Sequence, residues 1–217
     1  MAEQSQQRSQ PFGEEANVTT TYSADEALQR LKDGNARFVD GRARFPTVQK
    51  EVLAELAKDQ QPYATILGCS DSRVPPELVF DAGFGELFVI RVAGNVLGPS
   101  IFGTLQYAGV HLRTPLFVVL GHAGCGAVTA AIGAKFHDEQ YHSRIAVLLE
   151  NIGPALDGLD RSMPAAAMLS AAVEANVRYT VRQLLESPEG KARAAEGRVR
   201  LVGAVYDLTS GAVQFLE

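Results

Sequence analysis

Leu116-Phe117-Val118-Val119-Leu120-Gly121-His122-Ala123-Gly124-Cys125-Gly126 is a continuous apolar run that breaks into a glycine-rich loop carrying a histidine and a cysteine. An apolar run without polar alternation predicts a strand buried on both faces, as in a parallel sheet. Earlier in the chain, Tyr63-Ala64-Thr65-Ile66-Leu67 leads in the same way into Gly68-Cys69-Ser70-Asp71-Ser72-Arg73. Leu87-Phe88-Val89-Ile90 and the stretch from Val199 to Val205 are two further runs of this kind. Helical stretches at 100–112, 126–136 and 165–186 separate them, the last with Val173, Val177, Val181 and Leu184 on one stripe. This alternation predicts an α/β fold: a central, mainly parallel sheet flanked by helices. Asp207-Leu208-Thr209-Ser210-Gly211 reads as a turn into a last strand, Ala212 to Leu216, which forms an antiparallel C-terminal edge.

Ahead of the sheet, residues 1–22 are a polar N-terminal arm and residues 23–217 a single domain. Ser23-Ala24-Asp25-Glu26 fits a capping box, in which serine and glutamate each satisfy a free backbone amide. Ala27, Leu28, Leu31 and Phe38 follow as a helical face that Gly34 interrupts, giving a helical arm before the sheet. A second helix is expected from about Val48 to Lys58.

Composition narrows the function. With 46% hydrophobic and 21% charged residues the chain is an ordinary globular protein. A net charge of −5 without basic runs argues against nucleic acid or an anionic membrane as partner. No segment approaches the roughly 20 apolar residues of a membrane span, and the amino terminus lacks a secretory apolar stretch. The expectation is a cytoplasmic protein whose two cysteines, Cys69 and Cys125, stay reduced.

In open parallel sheets, ligands bind at the carboxyl ends of the strands. Two of the predicted strands end in loops that together supply Cys69, His122 and Cys125, with Asp71 and Arg73 close by. Taken singly, a buried cysteine is a small hydrophobe, a histidine is most often structural, and Asp-x-Arg is a local ion pair. Two thiolates and an imidazole converging on one rim suit Zn²⁺ and leave a fourth coordination position open, as in catalytic zinc sites. Asp71 has two possible jobs: to fill that fourth position, or to pair with Arg73 and accept a hydrogen bond from metal-activated water. His111, His137 and His142 read as surface or structural residues.

These stretches resemble a known family. Cys69-Ser70-Asp71-Ser72-Arg73-Val74-Pro75-Pro76-Glu77 is similar to the first signature of the β-carbonic anhydrases, and Gly121-His122-Ala123-Gly124-Cys125-Gly126-Ala127-Val128 to the second. Phe88 to Asn95, Gly103 to Ala108 and Gly203 to Asp207 resemble other family segments, so that the likeness runs from residue 23 to 217. It implies zinc held by Cys69, His122 and Cys125, an Asp71–Arg73 dyad beside the metal-activated water, and reversible hydration of carbon dioxide to bicarbonate and a proton. It also implies a substrate site that includes Gln60, Phe88, Ala93, Tyr107 and the Gly126 amide. Some relatives have a bicarbonate-regulated form in which the aspartate binds zinc, with a tryptophan three positions before the first cysteine ligand. Ile66 stands there in a chain without tryptophan, so Asp71 is expected to pair with Arg73 and stay off the metal. A homodimer, or a tetramer of two dimers, with active sites at the subunit interface and N-terminal arms around the neighbouring chain, is implied as well. Three rivals share these residues: a carbonyl sulfide or carbon disulfide hydrolase, a non-catalytic zinc or bicarbonate binder, and a Cys69–Cys125 redox switch.

Overall fold

The computed structural model describes residues 20–44 and 50–216. The polar arm assigned to residues 1–22 therefore lies, up to residue 19, outside the described residues, as do the first two residues of the helix expected from Val48. Five strands, β1 (Ala64–Gly68), β2 (Leu87–Arg91), β3 (Leu116–His122), β4 (Arg200–Tyr206) and β5 (Val213–Leu216), form one sheet in the order β2-β1-β3-β4-β5. Every neighbouring pair is parallel except the last, where β5 returns antiparallel on β4. The sheet predicted from the apolar runs, with its antiparallel edge, is thus the sheet observed.

Alternate residues of the strands feed two separate cores. Ile66, Val118, Leu120, Val202 and Ala204 point to one side, where Ala27, Leu28 and Leu31 of α1 (Ala24–Val39) pack together with Val79 of the short α3 (Pro76–Val79) and with Phe80. Leu67, Ile90 and Val119 point to the other, against Leu105 of α4 (Pro99–Tyr107) and Val177 and Leu184 of α7 (Ala165–Glu186). A parallel strand needs both faces covered, and this sheet has them covered. The remaining helices are α2 (Lys50–Leu56), α5 (Gly126–Phe136), α6 (Ser143–Ile152) and α8 (Pro188–Ala195). None of the described helices is long and apolar enough to cross a membrane.

Most helix boundaries match the reading of the chain, and the capping box is formed: the Glu26 amide donates to Ser23 Oγ at 3.3 Å and the Ser23 amide to Glu26 Oε2 at 2.8 Å. Three differences have physical reasons. Gly34 does not interrupt α1; a Cβ there would stand 1.9 Å from the Phe80 carbonyl oxygen, so the glycine serves a close helix–backbone approach. The stretch 100–112 is α4 continued by a π turn over Ala108–Leu112, closed by Arg113 in the left-handed region. The helix α6 was not expected; it is short, and beyond Leu149 and Ile152 most of it is exposed or only half-buried, Ile145 and Val147 included.

One buried charge ties α1 to the connection between β1 and β2. Asp81 accepts from Arg37 Nε at 2.6 Å, from Arg44 Nε at 3.0 Å and from the Arg44 amide at 2.7 Å. Burial alone would raise its pKa, but these bonds outweigh burial and hold the carboxyl below the ordinary carboxylate value. Bonds of this charge-assisted kind contribute about 1.5–3 kcal/mol each before solvent exposure of the arginines is discounted. Asp81→Asn is therefore expected to lower unfolding free energy by about 2 kcal/mol in urea titrations. Because the folded pKa is depressed, the stabilisation is present above the unfolded pKa of about 3.9 and fades as pH falls through the folded value. The gap between parent and variant should close on acidification.

Candidate metal centre

The order β2-β1-β3 creates the site. From β1 the chain crosses to β2 on one side, and from β3 it crosses to β4 on the other. The loops after β1 and β3 therefore leave in opposite directions and open a crevice between them, the position where open α/β sheets take ligands. Register fixes what enters it. Gly68 pairs with Leu120, so Cys69 leaves β1 just where β3 runs on through Gly121 into His122. The chain then turns through Gly124, at φ 65°, and brings back Cys125 as the N-cap of α5.

Cys69, His122 and Cys125 present one ligand atom each, all within 4.8 Å of one another, and all three side chains are buried. The two sulfurs are 4.0 Å apart. His122 Nδ1 lies 2.9 Å from the Ala123 carbonyl oxygen, which fits an Nδ1–H tautomer and leaves the lone pair on Nε2. That Nε2 is buried and has no hydrogen-bond partner among the described residues. A buried polar atom without a partner is costly, and a metal ion would remove the cost. Two sulfurs and this nitrogen suit a borderline-soft dication.

Electrostatics point the same way. Hydrogen bonding between the two sulfurs pulls the Cys69 pKa well below its ordinary value, with help from the Gly94 amide, while that same bond and burial push Cys125 up. Metal binding to two thiols this close would release their protons. Burial works against a charged His122, yet the neighbouring Cys69 and Asp71 charges raise its pKa.

Asp71 follows Cys69 by two residues and is fixed by Arg73. Its Oδ1 accepts from Arg73 Nε at 2.9 Å and from the Arg73 amide at 3.0 Å, and its Oδ2 from Arg73 Nη2 at 2.7 Å. Chiefly through the Arg73 side chain, the carboxyl is held far below the carboxylate range. Oδ2 also lies 3.8 Å from His122 Nε2, at the edge of the ligand triangle. Arg91 was not singled out from the sequence. Its Nε donates to the Cys69 carbonyl at 3.0 Å and its Nη2 to the Asp71 carbonyl at 2.5 Å, tying down the loop that carries both residues. The Gly94 amide, 3.4 Å from Cys69 Sγ, was missed as well.

The remaining expected site residues divide into two groups. Ala93, half-buried, adjoins Gly94 in the 3-10 turn Ala93–Asn95, and Gly126 follows Cys125 directly, so both border the ligands. Gln60, Phe88 and Tyr107 do not. Phe88 pairs with Thr65, four residues before Cys69, or about 13 Å back along the sheet at about 3.3 Å per residue. Tyr107 stacks on Phe88 with ring centroids 6.2 Å apart, and His111 on Tyr107 at 4.9 Å. Gln60 is exposed and precedes β1, at the end opposite to Cys69. An apolar cavity of about 340 Å³ between α4, α7 and α8, lined by Phe102, Phe117, Leu184 and Leu201, shares no residue with the metal ligands.

Comparison with known proteins gives consistent matches. The family described as carbonic anhydrase matches residues 64–213. "Carbonic anhydrase 2" of Mycobacterium tuberculosis is 38% identical over 191 residues, 85% of this chain and 89% of that protein. The carbonic anhydrase of Mycolicibacterium smegmatis is 38% identical over 194 residues, covering 87% and 91%. Among solved structures, a Coccomyxa β-carbonic anhydrase in complex with acetazolamide superposes with a TM-score of 0.71 at 27% identity, covering 87% of this chain and 86% of that one.

Titration of the metal-free protein with Co²⁺ is expected to raise thiolate-to-metal charge-transfer absorption that saturates at one ion per chain. Cys125→Ser should lose most of that absorption. A folded protein that takes up no cobalt would remove the metal centre.

Proposed function

The chain belongs to the β-carbonic anhydrase family, and from that premise we propose that it interconverts carbon dioxide and bicarbonate on a zinc ion held by Cys69, His122 and Cys125. The observation that carries this reading is the unpartnered, buried His122 Nε2 beside two sulfurs, with a bidentate Asp71–Arg73 pair at its edge. Zinc supplies a nucleophile at neutral pH by acidifying water.

The protein's own groups do the rest. Arg73 saturates Asp71 Oδ1 with two N–H donors and gives Oδ2 one, which keeps the carboxylate ionised and fixes its plane. Oδ2 retains a lone pair, and as the oxygen nearest the ligands it accepts the nucleophile's hydrogen bond and orients it. The same clamp would keep Asp71 off a bound metal and leave room there for water. Gly126 is the first residue of α5, and its amide is one of those that α5 cannot bond internally. It suits an oxygen of bicarbonate. Carbon dioxide is neutral and nonpolar, so apolar walls beside the nucleophile favour it over water and ions.

Those walls are expected from a second copy of the chain. Gln60, Phe88 and Tyr107 are a strand's length from their own metal ligands, and Gln60 and Tyr107 are exposed. In a twofold dimer each patch faces the partner's crevice. A pair of such dimers gives the tetramer. Ala93 is small and half-buried beside the ligands, which leaves carbonyl sulfide hydrolysis as the second reading to be tested on the same protein.

Stopped-flow hydration of carbon dioxide by zinc-quantified protein is the deciding experiment. Turnover should scale with zinc and vanish in Cys125→Ser, and it should exceed turnover of carbonyl sulfide. Full zinc occupancy without acceleration over buffer would defeat the proposal. Asp71→Asn should retain its zinc yet lose about 100-fold or more in kcat. A shared site has its own signature. Mixing inactive Cys125→Ser chains with a weakened Tyr107→Ala variant should form hybrid dimers and restore up to about one site in four. No gain on mixing would place all site residues in one chain.

A further inference from the structure

Helix α7 packs on the sheet through an apolar stripe that includes Val173, Val177 and Leu184. Two polar residues one turn apart, Asn176 and Thr180, lie buried on this helix at 1% exposure each. Both are aimed at the turn that follows β2. Asn176 Nδ2 donates to the Gly94 carbonyl at 2.8 Å, and Thr180 Oγ1 to the Asn95 carbonyl at 3.5 Å. That turn is conformationally unusual. Gly94 and Asn95 are both left-handed, at φ 67° and 45°, and a Cβ at Gly94 would come within 2.8 Å of Ile152 Cδ1. Such a conformation persists only where surrounding contacts hold it. The turn brings the Gly94 N–H to Cys69 Sγ, 3.4 Å away.

We infer that Asn176 is a positioning residue for the metal centre: it holds the Gly94 turn so that the Gly94 amide donates to the Cys69 thiolate. The inference rests on the zinc reading above. An N–H···S bond withdraws electron density from the sulfur, so the thiolate gives less charge to the metal, and the metal polarises its other ligands more strongly. It also orients the sulfur and slows its departure. Interactions one shell out from a metal commonly change affinity by about 10–100-fold. A purely structural role explains Asn176 less well. Its Oδ1 is buried without a hydrogen-bond partner among the described residues, so an apolar side chain of the same shape would suit the core around it better. The amide is kept where one carbonyl, 82 residues away in sequence, needs a donor.

The test uses the full protein loaded with an NMR-active cadmium isotope. In the parent, the Gly94 amide proton should show scalar coupling to cadmium through Cys69 Sγ. In Asn176→Leu this coupling should vanish or weaken. The cobalt-loaded variant should show its charge-transfer band at longer wavelength, and zinc should bind about 10-fold or more weakly. Thr180→Val, which removes only the longer bond to the Asn95 carbonyl, should move the three readouts less than Asn176→Leu does. Should Asn176→Leu fail to fold, Asn176→Ser, which is smaller and still polar, decides by the same readouts. Cadmium bound without coupling in the parent overturns the inference and leaves the zinc reading intact. Coupling that persists unchanged in a folded Asn176 variant overturns it too. A parent that binds neither cadmium nor zinc removes both readings.

Discussion

The adjacency of β1 and β3 is the constraint on which the molecule depends. Ligands that come from segments more than fifty residues apart meet only because these two strands pair in parallel, with Gly68 opposite Leu120. A slip of one residue would turn Cys69 away from His122 and would also exchange the two core faces of β1. The hydrophobic pattern that protects the cores therefore protects the geometry of the site. Stability and chemistry share one register, and the loops at the crevice need to supply only local detail: a turn at Gly124, a clamp at Arg91, and the Asp71–Arg73 pair.

The pocket's chemistry follows from what it lacks as much as from what it holds. Two sulfurs lie 4.0 Å apart, one ring nitrogen is left unpaired, and a carboxylate is held ionised by an arginine. The sulfurs and the ring nitrogen would be better off beside a cation. Arg73 cannot serve as that cation for the ligands, because its guanidinium is committed to Asp71 and more than half of its side chain faces solvent. The pairing turns a carboxylate that would otherwise compete for the metal into an acceptor at its border.

Much of this was legible in the sequence for a physical reason. Buried parallel strands are written as uninterrupted apolar runs, and ligand loops at their carboxyl ends as glycine, cysteine and histidine at short spacing. The capping box at Ser23 and the long helix from Ala165 to Glu186 were equally plain. What stayed hidden was decided by packing between distant segments. Gly34 reads as a helix breaker until Phe80 is seen against it. Gln60, Phe88 and Tyr107 read as members of the site, yet one chain keeps them a strand's length from the ligands. Asn176 gave one faint signal, a polar residue inside an apolar helical stripe, but its partner at Gly94 cannot be found from spacing.

Asn35 closes the chain on itself. Buried in α1, it donates from Nδ2 to the carbonyls of Val79 and Gly211, and its Oδ1 accepts from the Val213 amide at the start of β5. Helix α1 is thus completed by β5, across more than 170 residues. Contacts of such long range slow folding, because most of the chain must be ordered before they repay anything. During synthesis α1 carries a partly unsatisfied asparagine on its inner face until β5 has emerged. Removing β5 would leave Cys69, His122 and Cys125 in the chain and still withhold the partner that lets α1 settle.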